Sequence, residues 1–310
     1  MAAAFSRRSP AAIALALGTI YLIWGSTYFG VRITDRTMPP LLMSSVRFAI
    51  AGAVLYAVTA RGGRASLREW RAAAITGGLL LAVGNAGVAY AEKRIDSGLA
   101  ALIVAVMPLY VAVLDRALFG RSLSPLATAG LLVGFGGVAL LVRPGGSQTG
   151  AAVILLGTTA AWAIGSLYAR GAPLPASPLR SASMQMLCAA VLLGVAGTVS
   201  GESADVHPNA FSLEPLLAFA FLVVFGSLAA FSAYAWLLKN VRISIVSTYA
   251  FVNPVVAVVL GSAFLGEPLT RTTLTAGAAI VVAVVLIVSA KPKPAVARAR
   301  LGARPATLAP

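Results

Sequence analysis

Charge is the scarcest commodity in this chain: Asp, Glu, Lys and Arg make up 11% of its 310 residues, against about 25% in soluble domains. With 59% hydrophobic residues and a mean hydropathy of +0.90, an ordinary soluble globular fold is excluded. Cysteine is nearly missing as well. The single Cys188 rules out an intramolecular disulfide and sits in an apolar run, where it reads as a small core filler. Histidine is represented once, by His207 before Pro208, with no Cys or His partner for a metal site. Without a cluster of reactive side chains an integral-membrane enzyme is disfavoured, and no catalytic residue, metal or cofactor is expected. The glycines of Arg143-Pro144-Gly145-Gly146 lack the Gly-Lys-Ser/Thr of a phosphate loop and read as a turn. Neither a repeated filter motif nor a ring of charges points to a channel.

What the chain has instead is apolar length. Spans of about 20 residues suit a helix crossing a hydrocarbon core about 30 Å thick. Ten are read, at 11–31, 40–60, 72–91, 97–119, 124–142, 150–169, 181–200, 214–238, 245–264 and 272–289. The fold class is therefore an all-α integral membrane protein. A net charge of +15 raises nucleic acid as a partner, but the basic residues lie in short segments between spans rather than on one solvated face. With the N-terminus placed in the cytoplasm, seventeen of the 24 basic residues fall in inner segments, six in outer ones, and Arg47 within a span. Seven of the nine acids lie outside. This positive-inside bias puts both termini of a multi-pass membrane protein in the cytoplasm. The start, Ser6-Arg7-Arg8-Ser9-Pro10, imitates a cleaved signal, but the run after it is a full span whose Gly25-Ser26-Thr27-Tyr28 recurs as Gly165-Ser166-Leu167-Tyr168.

That recurrence is part of a larger one. Ser97 to Val142 and Ser244 to Val288 each run apolar helix, central proline, a Leu/Phe-Gly break and a second apolar helix, in register on Pro108 and Pro254. Each copy holds five spans, and an odd number makes the second copy enter the membrane from the other side. The expected architecture is ten transmembrane helices in two inverted five-helix repeats, 11–142 and 150–289, around a central cavity, followed by a disordered basic cytoplasmic tail at 290–310.

In this order the chain resembles the drug/metabolite transporter superfamily and, within it, the EamA type. The resemblance rests on Trp24-Gly25-Ser26-Thr27, on Pro40 with Val46-Arg47-Phe48, on Ser97-Gly98-Leu99-Ala100 running to Pro108, and on Asn253-Pro254 followed by Leu265-Gly266-Glu267-Pro268-Leu269. It implies a ten-helix inner-membrane carrier of small metabolites, commonly an exporter, similar to bacterial amino-acid exporters of the YddG and YedA kind. Such proteins often carry Glu after the Gly in both halves, whereas the first copy here has Arg121.

Pro108 and Pro254 lack the N–H that a helix needs, so each kinks its span and frees a carbonyl, which makes the pair candidate hinges at the central site. The expected cavity lining is Trp24, Asn85, Trp162, Ser166, Tyr249 and Asn253, with Tyr90 and Tyr234 read as lining or as interfacial belt. Arg47 is the one charge well inside a span. It pairs with a substrate carboxylate or serves structure, by snorkelling or by binding free carbonyls. No acid lies mid-membrane, which argues against proton-driven export of cationic drugs and favours a neutral, zwitterionic or anionic solute. The small-residue stripe Gly130, Gly134 and Gly137 suits packing within the bundle or, second, dimerisation, so the chain is read as a monomer or weak homodimer. Its partners are a small-molecule substrate and the lipid bilayer. The function expected is secondary transport of small organic metabolites, most simply neutral or aromatic amino acids, by alternating access. Export of other metabolites or drugs, or a channel-like uniporter, is the alternative.

Overall fold

The structure is a computed structural model describing residues 9–59, 63–119, 124–141, 149–207, 209 and 211–289. The basic tail, Arg7-Arg8, Arg121 and the 143–146 turn lie outside these. Among the described residues every regular element is a helix.

Caps written in the sequence start several of them. Ser9 Oγ accepts from the Ala12 N–H ahead of α1 (Pro10–Thr34), with Pro10 in the first turn, where its missing N–H costs nothing. Proline also opens α2 (Pro40–Val58) and α9 (Pro178–Val199), the latter capped by Ser177. Ser66 and Glu69 form a reciprocal capping box at α3 (Leu67–Gly77), which starts this helix five residues before the apolar run read from sequence. The same helical run continues through a π-helical stretch, Gly78–Asn85, into α4 (Ala86–Glu92). After α5 (Ser97–Val104), a break at residues 105–106 precedes α6 (Met107–Phe119). Then come α7 (Pro125–Leu141) and α8 (Thr149–Gly171). Beyond α9, a second π stretch, Leu222–Phe231, joins α10 (Leu213–Phe221) to α11 (Ser232–Asn240). The short α12 (Ile243–Val246) is separated from α13 (Tyr249–Leu265) by residues 247–248, and α14 (Arg271–Ser289) completes the described chain.

Among the described residues, seven helical runs are long and apolar enough to cross a membrane, and three shorter apolar helices accompany them, 125–137, 252–265 and 271–283. Two long pairings frame the bundle, α2 along α9 and α7 along α14. Gly137 belongs to the second: a β-carbon there would meet the Ala276 carbonyl at 3.1 Å and Ile280 at 3.0 Å, so this glycine packs inside the bundle. Between the frames, α1 packs on α13 and on the second π stretch, while α8 packs on the first π stretch and on α6.

Charge divides the two ends of the bundle. At one end Arg170 donates to the Val241 carbonyl at 3.1 Å, Arg180 to the Thr59 carbonyl at 2.8 Å, and Lys239 to the Pro175 carbonyl. At the other, acids cap helices: Glu202 accepts from the N–H groups of Leu41 and Leu42, both at 3.0 Å. Glu267 accepts from Ser97 N at 2.8 Å, Ser97 Oγ at 2.9 Å and Gly98 N at 3.1 Å. Each carboxylate thus satisfies orphan donors at the start of a helix from the other half of the chain.

Candidate functional site

Four aromatic rings meet in the middle of the bundle. Trp24 on α1 stands edge-on to Trp162 on α8, at 5.4 Å between centroids, and to Tyr249 on α13, at 5.3 Å. Tyr234 on α11 closes the group 4.9 Å from Trp24. Their polar tips are used. Trp162 Nε1 donates to the Tyr234 hydroxyl at 3.0 Å, Ser166 Oγ shares a 2.6 Å bond with the same hydroxyl, and Trp24 Nε1 donates to the Gly226 carbonyl at 3.3 Å. Fixed edge-to-face rings with satisfied donors make a rigid wall.

Beside this wall lies a cavity whose water-accessible core is about 60 Å³, room for about two waters at ~30 Å³ each. From the first half α1 contributes Trp24, Thr27, Tyr28 and Val31, and the π stretch with α4 contributes Gly84, Asn85 and Val88. Val104 and Met107 flank the break between α5 and α6. From the second half come Thr158, Thr159 and Trp162 on α8, and Tyr249 and Asn253 on α13. Gly84 is needed for the close approach of α8, since a β-carbon there would sit 2.7 Å from Trp162 Cε3. Three threonines spend their hydroxyl protons on their own helices: Thr27 donates to the Trp24 carbonyl at 2.7 Å, and Thr158 and Thr159 to the Leu155 carbonyl at 3.0 and 2.6 Å. Their oxygens therefore keep lone pairs with which to accept. Asn253, oriented to donate, reaches the Tyr21 and Tyr249 carbonyls at 3.0 and 3.2 Å, which leaves its amide oxygen as a further acceptor.

Of the residues singled out from the sequence, Trp24, Asn85, Trp162, Tyr249 and Asn253 line this cavity. Tyr234 completes the wall without lining the cavity and holds Trp162, and Ser166 bonds to the same Tyr234 hydroxyl from behind. Arg47 is 1% exposed and lies behind Asn85, its Nε donating to Ser227 Oγ at 2.8 Å and its Nη1 in a long 3.5 Å contact with Asn85 Oδ1. Tyr90 is elsewhere, exposed and stacked under Arg94, whose guanidinium lies 4.8 Å from its ring centre. The two prolines are not placed alike: Pro108 follows the break as the second residue of α6, whereas Pro254 lies inside α13, six residues after Thr248. Tyr28, which also stood out in the sequence as an aromatic deep in the first span, lines the cavity, whereas Thr27, Thr158 and Thr159 were not anticipated, although 24, 27, 28 and 31 fall on one helical face.

The EamA-like transporter family matches twice, over residues 11–143 and 149–289. The chain belongs to this family. It is 42% identical over 282 residues to the "Uncharacterized inner membrane transporter YedA" of Escherichia coli (strain K12), covering 89% of this chain and 90% of that one. A Streptantibioticus cattleyicolor (strain ATCC 35852 / DSM 46488 / JCM 4925 / NBRC 14057 / NRRL 8057) relative named "Probable terminal-alkyne amino-acid exporter" is 27% identical over 88% of this chain and 92% of its own. A crystal structure superposes over 90% of this chain and 96% of its own with a TM-score of 0.65 at 22% identity, which shows the fold alone. The family and the named relatives are transporters, which points to transport rather than catalysis.

Proposed function

We propose that the chain is an alternating-access carrier that exports small neutral or zwitterionic amino acids, or solutes like them, across the bacterial inner membrane. The observation that carries this reading is the cavity itself: it is walled by both halves of the chain, so a rocking of one half on the other opens it to alternate sides. Ten crossings in two inverted five-helix halves, with both termini cytoplasmic, are the frame proposed for that motion. The twofold family match and the correspondence of the α2–α9 and α7–α14 pairings support it. So does the π stretch in the third helical run of each half.

The lining suits a zwitterion. Threonine oxygens and the Asn253 oxygen offer acceptors for an ammonium group, while Asn85, backed by the Arg47 guanidinium, offers donors and positive charge for a carboxylate. The aromatic wall supplies contact area for a short apolar side chain. In proteoliposomes, labelled small neutral amino acids are expected to show saturable counterflow that Trp162→Ala weakens. Counterflow by no amino acid in a panel would remove the substrate class. Single-channel conductance would replace the carrier by a channel-like uniporter.

A further inference from the structure

Two carboxylates at the acidic end of the cavity have nothing to hold. Asp35 ends α1 and Glu92 ends α4, and the structure encloses all four of their oxygens without a hydrogen-bond partner among the described residues. Glu92 is 0% exposed. Buried polar atoms are normally paired, and an unpaired ionised carboxylate away from water is among the costliest arrangements a protein can adopt. The contrast with Glu202 and Glu267 at the same end is plain, because each of those accepts N–H groups at a helix start.

Neighbouring charges do not neutralise the pair. Arg32 spends a guanidinium N–H on the Glu92 backbone carbonyl, and Lys93 is exposed. Among the described residues the second half contributes acids, Glu202 acting on Asp35 and Glu267 on Glu92, and Asp35 acts on Glu92. Burial holds the Asp35 carboxyl well above the usual carboxylate range, with Lys93 and Arg32 opposing and Glu202 adding to the effect. Tyr28 is the remaining titratable side chain within electrostatic range of Glu92.

Position ties the pair to the solute. Tyr28, Val31 and Asp35 follow at i, i+3 and i+7 on one helix, and Asn85, Val88 and Glu92 repeat the spacing on another. The first two of each triplet line the cavity, so the third continues the same face about 6 Å beyond the second, at 1.5 Å per residue.

We propose that Asp35 and Glu92 form a proton-binding pair that closes one end of the solute cavity and couples solute passage to proton movement. This rests on the carrier reading above. Loading forms one O–H bond on a carboxylate oxygen with a proton from water, and unloading breaks that bond alone. With the proton bound, repulsion between the two groups is relieved and α1 and α4 stay together. Without it, like charges favour their separation, so proton occupancy biases the cavity between its two openings.

Two measurements test it. In purified protein without solute, pH-difference infrared spectra are expected to show a protonated-carboxyl band through the neutral range that Glu92→Gln or Asp35→Asn diminishes. In proteoliposomes, Glu92→Gln is expected to keep counterflow while accumulation driven by a pH gradient falls about tenfold or more. A band unchanged in both variants, or undiminished gradient-driven accumulation in Glu92→Gln, overturns the proposal. If the wild-type protein moves no amino acid in the panel, the substrate reading fails while the infrared measurement still decides the proton site.

Discussion

At the scale of single residues, some acids hold helices and two, Asp35 and Glu92, hold nothing among the described residues. Glu267 satisfies three donors at the start of α5, so Glu267→Ala is expected to cost about 1–2 kcal/mol, seen as a lower unfolding temperature in detergent, with Glu267→Gln costing less. Asp35 has the opposite signature. Its carboxyl is raised in the folded protein, so the unfolded chain ionises first and stability falls as pH rises from about 4 toward the folded value. Asp35→Asn should flatten that part of the unfolding-temperature profile. The planar fork of Arg47 reaches Ser227 and Asn85 at once, which a lysine cannot do, so Arg47→Lys should preserve assembly and raise KM for counterflow. Residue chemistry was legible where it was unusual for lipid: Trp24, Asn85, Trp162, Tyr249 and Asn253 stood out as polar or aromatic among aliphatics. Threonines did not, because a hydroxyl bonded to its own helix is ordinary in an apolar span. Asp35 and Glu92 were read as end-of-span residues. Position along a span says nothing about whether neighbouring helices cover it.

Elements were legible wherever a cap or a proline marks them. Pro40, Pro125 and Pro178 each open a helix, close to the limits expected from the apolar runs. The π stretches were invisible, since Gly-Leu-Leu-Leu-Ala-Val-Gly-Asn carries no signal that one turn will take an extra residue. Yet they shape the site. A π turn redirects side chains, and here it brings Gly84 under Trp162 and the Gly226 carbonyl to Trp24. Gly84→Ala therefore pushes a methyl group into the Trp162 ring, with an expected cost of about 1–3 kcal/mol and a larger proportional loss of counterflow than of folded protein. The prolines were located, but the helix breaks were not. In the second half the break lies ahead of Tyr249 rather than at Pro254, so the two copies bend at different places.

For the whole molecule, the expected topology rests on charge counting, because basic connections and apolar lengths obey rules that need no tertiary contacts. The expected orientation is checked by single cysteines in a Cys188→Ser background: a membrane-impermeant thiol reagent added outside the cell should label Asn209→Cys and not Arg64→Cys. Contacts between distant spans could not be read in this way, and one of them bears on how the protein is made. Arg47 enters the membrane with the second span, whereas Ser227, its nearest partner, lies 180 residues later in the chain. At about 5–20 residues per second, the ribosome needs roughly 10 to 40 seconds to supply that partner. For that interval the nascent chain carries a charge in lipid, worth about 2.5–3.5 kcal/mol against insertion, with only first-half groups such as Asn85 to share it. The second half is thus the assembly factor for the first. A chain stopped after residue 142 should be cleared by membrane proteases, and co-expression of 143–310 as a separate piece should protect it.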